Sequence, residues 1–220
     1  MVFALLNNRG LSFAELMLMF FSYLVLILVM LPVHELAHAF AAYKLGDDTA
    51  RWNGRLRFSP FAHLDPMGTL MLVLFGFGYA RPVPVNPRNF RNPRRDMALT
   101  ALAGPLSNIL MAAVSIALFR ILTLLPLSAT VGSIAYLVLI EVFATVNIGL
   151  AVFNLLPVPP LDGSRIFAWL LPERWVYTME RYSRYITIGM MLLLFSGTLN
   201  VPLNFLRNFL MGLLIKLFGF

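Results

Sequence analysis

Five long stretches of this sequence contain no charged side chain. They cover residues 16–33, 97–119, 121–140, 142–161 and 185–206. A helix needs about 20 apolar residues to cross the roughly 30 Å hydrocarbon layer of a bilayer. A soluble helical bundle would instead show polar positions recurring with the helical period, and these stretches have almost none. The pattern therefore predicts an all-α polytopic membrane protein with about four to six transmembrane helices.

The order of apolar and polar segments also predicts where the helices lie. The expected spans are residues 12–43, 98–125, 131–156 and 185–199. The second and third form a helical hairpin with a tight, uncharged tip. Two placements fit the last segment, residues 202–220, because it carries Arg207 and Lys216: a further span, or an amphipathic helix lying in the interface.

The apolar segment at residues 68–80 is too short to cross the membrane as a helix and is interrupted by Gly76 and Gly78. The stretches before and after it are rich in arginine, so the positive-inside rule places both on one face. The segment is therefore predicted to be re-entrant and non-helical, with a β conformation as one candidate, and such backbone is tolerated only against protein or a wet cavity. This topology puts Met1 outside and residues 157–184 inside.

Composition agrees with a bilayer environment, since 60% of the residues are hydrophobic and 12% are charged, with a mean hydropathy of +0.80. The net charge of +7 gathers in the connections at residues 44–57, 81–95 and 165–184. Lipid headgroups are the expected anionic partner, and nucleic acid is not. The chain has no cysteine, which excludes disulfides and thiolate chemistry. The first apolar stretch is too long for a signal peptide and is expected to be retained.

An HExxH motif stands at the inner end of the first predicted helix, as His34, Glu35 and His38. Residues i and i+4 share a helix face, so both imidazoles can bind one metal ion, with Glu35 beside them to activate a water. Ionisable residues at the end of a hydrophobic helix are costly and usually functional. The alternative is that these residues pair with one another or with arginines of the inner loops.

A catalytic zinc site needs a third protein ligand. The extended histidine motif is excluded because Ala41 and Lys44 occupy the positions it requires, and no glutamate follows before residue 141. The remaining candidates are His63, Asp65, Asp96 and Asp162. Topology favours Asp162, which lies on the same inner side as His34 and His38. The alternative function of Asp162 is to cap a short following helix.

Three motifs in order resemble the site-2 protease family of intramembrane metalloproteases. They are HExxH, Gly104-Pro105-Leu106-Ser107-Asn108, and the NxxPxPxLDG run at residues 154–163, and the match covers roughly residues 31–163. The resemblance implies His34, His38 and Asp162 as zinc ligands and Glu35 as catalytic base. It also implies Asn108 and Asn154 as polar groups near the substrate. The chain resembles a compact member, with residues 1–220 as one integral-membrane protease domain, a core at about 12–171 and C-terminal helices at about 183–220.

The resulting hypothesis is an intramembrane zinc metalloprotease in the cell membrane, with its active site toward the cytoplasm and a transmembrane protein or peptide as substrate. Asn108 or Asn154 would donate to the oxyanion of the reaction, or else serve as hydrogen-bonding contacts between helices. His63 is a weaker candidate for a group that supports a metal ligand. A β edge in the re-entrant segment would pair with an extended substrate. The rival functions are an ion-conducting transporter or channel and a catalytically dead scaffold.

Overall fold

The computed structural model describes residues 13–75 and 80–219, and this part of the chain is almost entirely helical. In chain order the α-helices are α1 (Phe13–Lys44), α2 (Thr49–Trp52), α3 (Pro60–His63), α4 (Pro66–Phe75), α5 (Pro93–Thr123), α6 (Ala129–Asn154), α7 (Asp162–Leu170), α8 (Glu173–Arg181), α9 (Ser183–Phe195) and α10 (Asn200–Leu217). The middle of α6, Leu137–Ala144, has π-helical hydrogen bonding. The placement expected for Met1 lies outside the described residues.

Three helices, α1, α5 and α6, are long and apolar enough to cross a membrane. The pair α9 and α10 is long and apolar enough only when taken together, and the two are bent by 82° at their junction. By length and composition, the described residues therefore contain three candidate spans, or four if the pair counts as one. A helix pairs most of its backbone groups internally, as hydrocarbon requires, although Pro32 in α1 and Pro105 in α5 each lack the N–H for one such bond. The predicted all-α polytopic membrane fold is therefore confirmed.

Helix α5 lies at the centre of the bundle and packs against α1, α6 and α7. One buried cluster joins α5, α6 and α10 and includes Ile116, Ile148 and Leu214. A second cluster joins α1 to α6 through Leu26 and Val142. These aliphatic contacts fix α1 and α5 each against α6. The face on which α1 and α5 pack against each other carries the polar site described below.

The predicted re-entrant segment begins as helix α4. The β conformation is therefore not adopted over Pro66–Phe75, because a helix satisfies its backbone groups without a partner strand in apolar surroundings. The segment's ends meet at an isolated antiparallel bridge between Leu64 and Ala80, beyond which the chain is extended. The interruptions at Gly76 and Gly78 lie outside the described residues.

Candidate metal centre

The two motif histidines lie one turn apart near the inner end of α1 and point into the bundle. His34 and His38 are only 7% and 8% exposed, and their Nε2 atoms lie 3.1 Å apart. Their rings meet edge to face, with centroids 4.6 Å apart. Helical periodicity alone produces this pairing, because side chains at i and i+4 lie one above the other.

Asp162, the first residue of α7 and distant from α1 along the chain, completes a cluster with the two histidines. Its Oδ2 lies 3.3 Å from His34 Nε2 and 3.2 Å from His38 Nε2. The side chain makes no capping hydrogen bond to α7, in which Leu161 is the N-cap residue and Asp162 the first helical residue. Burial alone would raise the pKa of the Asp162 carboxyl, but the adjacent imidazoles hold that pKa below its ordinary value.

Helix α5 supports the histidine pair by an unusually close approach at Gly104. A Cβ atom on Gly104 would lie 2.6 Å from Cε1 of His34 and as close to the ring of His38, so no larger residue fits without displacing the imidazoles. One turn earlier, the carbonyl of Thr100 accepts a hydrogen bond from Nδ1 of His38 at 2.7 Å. That bond places the proton on Nδ1 and leaves Nε2 free as a ligand.

Sequence reasoning missed both of these contacts. The Thr100 contact is invisible in the sequence because the group involved is a backbone carbonyl. Gly104 did carry a signal, because a glycine inside a long apolar helix commonly has a packing reason.

A second close contact seats α7 on the end of α6. A Cβ on Gly163 would collide with the carbonyl oxygens of Leu155 and Leu156. At the other end of α7, the Arg94 guanidinium donates to the carbonyls of Ala168 at 2.8 Å and Leu171 at 2.5 Å. Asp162 is thus positioned by contacts at both ends of its helix, and neither contact was predicted.

The donor set of this cluster fits a zinc ion. One ligand atom from each of His34, His38 and Asp162 lies within 4.8 Å of the other two. Oδ2 of Asp162 is buried, yet it has no partner at hydrogen-bonding geometry. Two imidazole nitrogens and one carboxylate oxygen form a typical catalytic zinc site, which leaves a fourth position for water.

Glu35 lies between the two histidines in sequence and is half-buried. Its carboxylate is within range of electrostatic interaction with His38 and with Arg55. No described contact engages Glu35 in a salt bridge, so the loop-arginine pairing that the sequence left open is not observed in the described residues.

The two candidate asparagines are placed differently. Asn108 lies one turn beyond Gly104 on the same face of α5, is 2% exposed, and has no hydrogen-bond partner for Oδ1. Asn154 ends α6, and its amide donates back to the carbonyl of Leu150 at 3.1 Å. Asn108 therefore has an unpartnered polar atom, Oδ1, on the face of α5 that contacts the two histidines at Gly104.

His63 has a different environment from the one predicted. It is fully buried, and its Nε2 donates to the carbonyl of Arg57 at 3.0 Å, at the base of the re-entrant segment. It makes no described contact with His34, His38 or Asp162. The group that supports a histidine ligand in this structure is instead the Thr100 carbonyl.

Comparisons with known proteins agree with this chemistry. Residues 120–196 match Peptidase family M50, a region that includes Asp162. YwhC of Bacillus subtilis, named as a candidate zinc metalloprotease, is 44% identical over 155 residues, which are 68% of this chain and 69% of YwhC. Among solved structures, none matches the chain.

Two further relatives come from other organisms. MJ0611 of Methanocaldococcus jannaschii, also named as a candidate zinc metalloprotease, is 33% identical over 156 residues, covering 68% of this chain and 73% of that protein. Rip2 of Mycobacterium tuberculosis, named in the same way, is 30% identical over 180 residues, covering 79% of this chain and 66% of Rip2.

Proposed function

The chain belongs to peptidase family M50, and on that premise we propose that it is an intramembrane protease, which hydrolyses peptide bonds within or near transmembrane segments of other membrane proteins. The observation that carries the proposal is the convergence of His34, His38 and Asp162 beside Glu35, at the end of a membrane-spanning helix. Family membership makes the chain a zinc metalloprotease and confirms the resemblance read from its motifs.

The proposed ligands are Nε2 of His34, Nε2 of His38 and a carboxylate oxygen of Asp162. Bound zinc would supply Lewis acidity, which activates a water and polarises the carbonyl of the scissile peptide. The carbonyl of Thr100 holds the His38 ring in the ligating tautomer. The carboxylate of Asp162 supplies negative charge that offsets part of the charge of the ion.

Glu35 is the proposed proton carrier. Its carboxylate accepts a proton from the attacking water and delivers it to the amine that leaves when the peptide bond breaks. The half-buried position of Glu35 next to two buried histidines supports this function, because a general base must lie within reach of the proton it takes.

Asn108 is the better placed of the two asparagines for stabilising the oxyanion, because it is buried on the helix face of Gly104. Its donating Nδ2 would serve this function, since the unpartnered Oδ1 can only accept. Neutral amide donors suffice for an oxyanion in a site from which water is largely excluded. The amide of Asn154 already donates to Leu150 within its own helix, which is not the contact between helices that the sequence offered as the alternative.

The substrate proposed is a transmembrane protein or peptide, whose helix must unwind before a protease can reach its backbone. Regulated processing of membrane-anchored proteins is one physiological setting that fits this chemistry. We propose that the whole stretch of residues 1–220 forms one protease domain, since Leu214 of α10 shares a core cluster with α5 and α6.

We also propose a location in the cell membrane with the metal centre toward the cytoplasm. The basic connections at residues 44–57, 81–95 and 165–184 flank the ends of α1, α5 and α7 that form the centre. The chain has no cysteine, so single cysteines at Arg51 and Ser128 would report sidedness. In intact cells a membrane-impermeant maleimide should label the cysteine at 128 and spare the one at 51, and the reverse pattern would contradict the orientation.

The deciding experiment compares the wild type with Glu35→Gln against a candidate single-span substrate, together with an assay of bound zinc. We expect cleavage to disappear in E35Q while zinc remains bound, because the substitution removes the proton acceptor and leaves the ligands. Glu180→Gln, an exposed glutamate on α8, is the matched control and should cleave normally. Equal cleavage by wild type and E35Q would refute Glu35 as the base. Bound zinc without cleavage by any variant, over a panel of substrates, would favour the dead scaffold.

A further inference from the structure

The side chain of Arg55 is buried where a charged residue is least expected. It is only 6% exposed. Its guanidinium donates to three backbone carbonyls, those of Ala62 at 2.5 Å, Arg81 at 3.1 Å and Pro82 at 3.3 Å. Within the described residues, no carboxylate lies at ion-pair distance from it. Arginine is seldom buried without a paired charge, so this placement calls for a structural or functional reason.

The charge of Arg55 is retained against the cost of burial. Burial and the nearby Arg81 both lower the pKa of the Arg55 guanidinium, whereas Glu35 opposes the change. Arginine remains protonated under such conditions, and its planar fork can serve several acceptors at once. A single point-like donor such as lysine could not reach all three carbonyls in the same way.

The three carbonyls share one property, which is that they flank the re-entrant segment. Ala62 precedes α4, and Arg81 and Pro82 follow the segment's return. Two neutral contacts join the same ends. One is the bridge between Leu64 and Ala80, and the other is a hydrogen bond at 2.8 Å from the backbone N–H of Arg81 to the carbonyl of His63. Arg55 thus links the two ends of the segment through its side chain.

The residues that follow Arg55 also pack on the reactive end of α1. Leu56 and Arg57 line one cavity with Leu36 and Ala37, so the base of the segment lies against the turn of α1 that follows Glu35. On the proposed function, this base therefore borders the part of α1 where a substrate peptide meets Glu35. Any change in how the two ends are held would then move the segment relative to the scissile bond.

We propose that Arg55 is a positioning residue that clasps the two described ends of the re-entrant segment and holds their junction against α1, next to Glu35, in the geometry that cleavage requires. This inference rests on the proposed proteolysis and assigns Arg55 the task of positioning the groups that carry it out. Arg55 acts through the segment and touches neither the metal ligands nor, in this scheme, the substrate.

The first test compares Arg55→Gln and Arg55→Lys with Arg57→Gln, whose side chain is exposed nearby. Misplacement of a reacting group by about 1 Å can cost on the order of 100-fold in rate. We therefore expect R55Q to lose cleavage on that scale, R55K to recover only part of it, and R57Q to behave as wild type. Bound zinc should be unchanged in all three variants, which separates positioning from loss of the metal centre.

The second test replaces the clasp with a covalent bond. Leu64 and Ala80 face each other across an antiparallel bridge, where Cα atoms lie about 4.5–5.5 Å apart. A disulfide spans such a separation. The pair Leu64→Cys and Ala80→Cys adds the only cysteines to the chain. We expect the pair to form a disulfide readily when Arg55 is present and more slowly in R55Q. In R55Q, oxidation should restore cleavage and reduction should abolish it again.

The outcomes separate this inference from the proposed function. Disulfide formation is measured without turnover, so it tests the clasp even if no substrate is cleaved. Equal cross-linking with and without Arg55 would overturn the clasp. If cross-linking is slow in R55Q but R55Q cleaves as fast as R57Q, the clasp exists and is unimportant for the reaction, which would overturn the proposal. If R55Q fails to fold, R55K with the cysteine pair carries the same comparison.

Discussion

The histidine side and the aspartate side of the metal centre are built in different ways. His34 and His38 come from a single turn of α1, and one close contact with α5 at Gly104 holds both rings. Asp162 comes from the first residue of a short helix, which is held by its contact with the end of α6 and by Arg94. Local periodicity fixes the first side, whereas long-range packing fixes the second. The histidine side should therefore be the rigid one, and the aspartate side the more easily displaced.

The largest expected effect comes from Gly104→Ala. The added methyl would occupy the space of both imidazole rings, because the nearest ring atoms lie at 2.6 Å or closer to its position. Disturbing the groups that orient metal ligands typically costs about 10-fold to 100-fold in affinity, and we expect the upper end of that range because both ligands move together. Zinc content and titration with a competing chelator would measure the loss.

The control for this prediction is Gly149→Ala on α6, where nothing lies within 4 Å of the added atom. The control should bind zinc as the wild type does. If G104A also bound zinc normally, the histidine side would be less tightly held than its geometry indicates.

Gly163→Ala should disturb the aspartate side, with a smaller effect. The added methyl would meet backbone carbonyls of Leu155 and Leu156, which cannot rotate away, so α7 must shift and carry Asp162 with it. We expect zinc affinity to fall by about 10-fold, with the two histidines still binding. Gly212→Ala on α10, where the added atom meets nothing within 4 Å, is the control. If G163A lost as much zinc affinity as G104A, the histidine side and the aspartate side would not differ in their effect on metal binding.

These two substitutions also show what the sequence could and could not predict. The long apolar spans and the pairing of His34 with His38 follow from composition and helical period. Asp162 was identified because the topology put it on the correct side. The glycine at 104 signals a packing reason, but its partner and the closeness of the contact depend on how α1 lies against α5, which no local pattern encodes. The non-helical conformation predicted for the re-entrant segment was wrong over Pro66–Phe75, which is helical, since a short apolar run has no period that separates helix from strand.

A third prediction concerns Asp47, whose contacts stabilise the end of α1, the helix that carries both histidines. Asp47 follows α1 and is fully buried, and its carboxylate accepts from the backbone N–H of Asn86 at 2.8 Å and from Nδ2 of Asn89 at 2.7 Å. It thereby joins the end of α1 to the chain that leads into α5. Hydrogen bonds to a charged group contribute on the order of 2 kcal/mol, so Asp47→Asn should lower the stability by about that amount near neutral pH.

The stabilisation by Asp47 should depend on pH in a defined direction. Burial raises the pKa of its carboxyl, but hydrogen bonds from Thr49, Asn86 and Asn89 outweigh burial and lower the pKa below the ordinary value. The stabilisation is therefore complete above the unfolded pKa of about 3.9 and is lost as pH falls through the lower folded value. Thermal unfolding of wild type and D47N should differ most near neutral pH and converge in acid. A difference that persists unchanged in strong acid would show that the charge of Asp47 is unimportant.

The smallest effect is expected for Arg94→Gln, which loosens the aspartate side from a distance. Arg94 caps the carbonyls of Ala168 and Leu171 at the end of α7, but its side chain is 47% exposed, so solvent screens the contact. Loss of such hydrogen bonds costs about 1 kcal/mol or less. Arg91→Gln, an exposed neighbour in the same basic connection, is the control. We expect R94Q to lower zinc affinity slightly more than R91Q and to add little to the effect of G163A, because both substitutions release the same helix. Full additivity of the two would mean that Arg94 acts elsewhere than on α7.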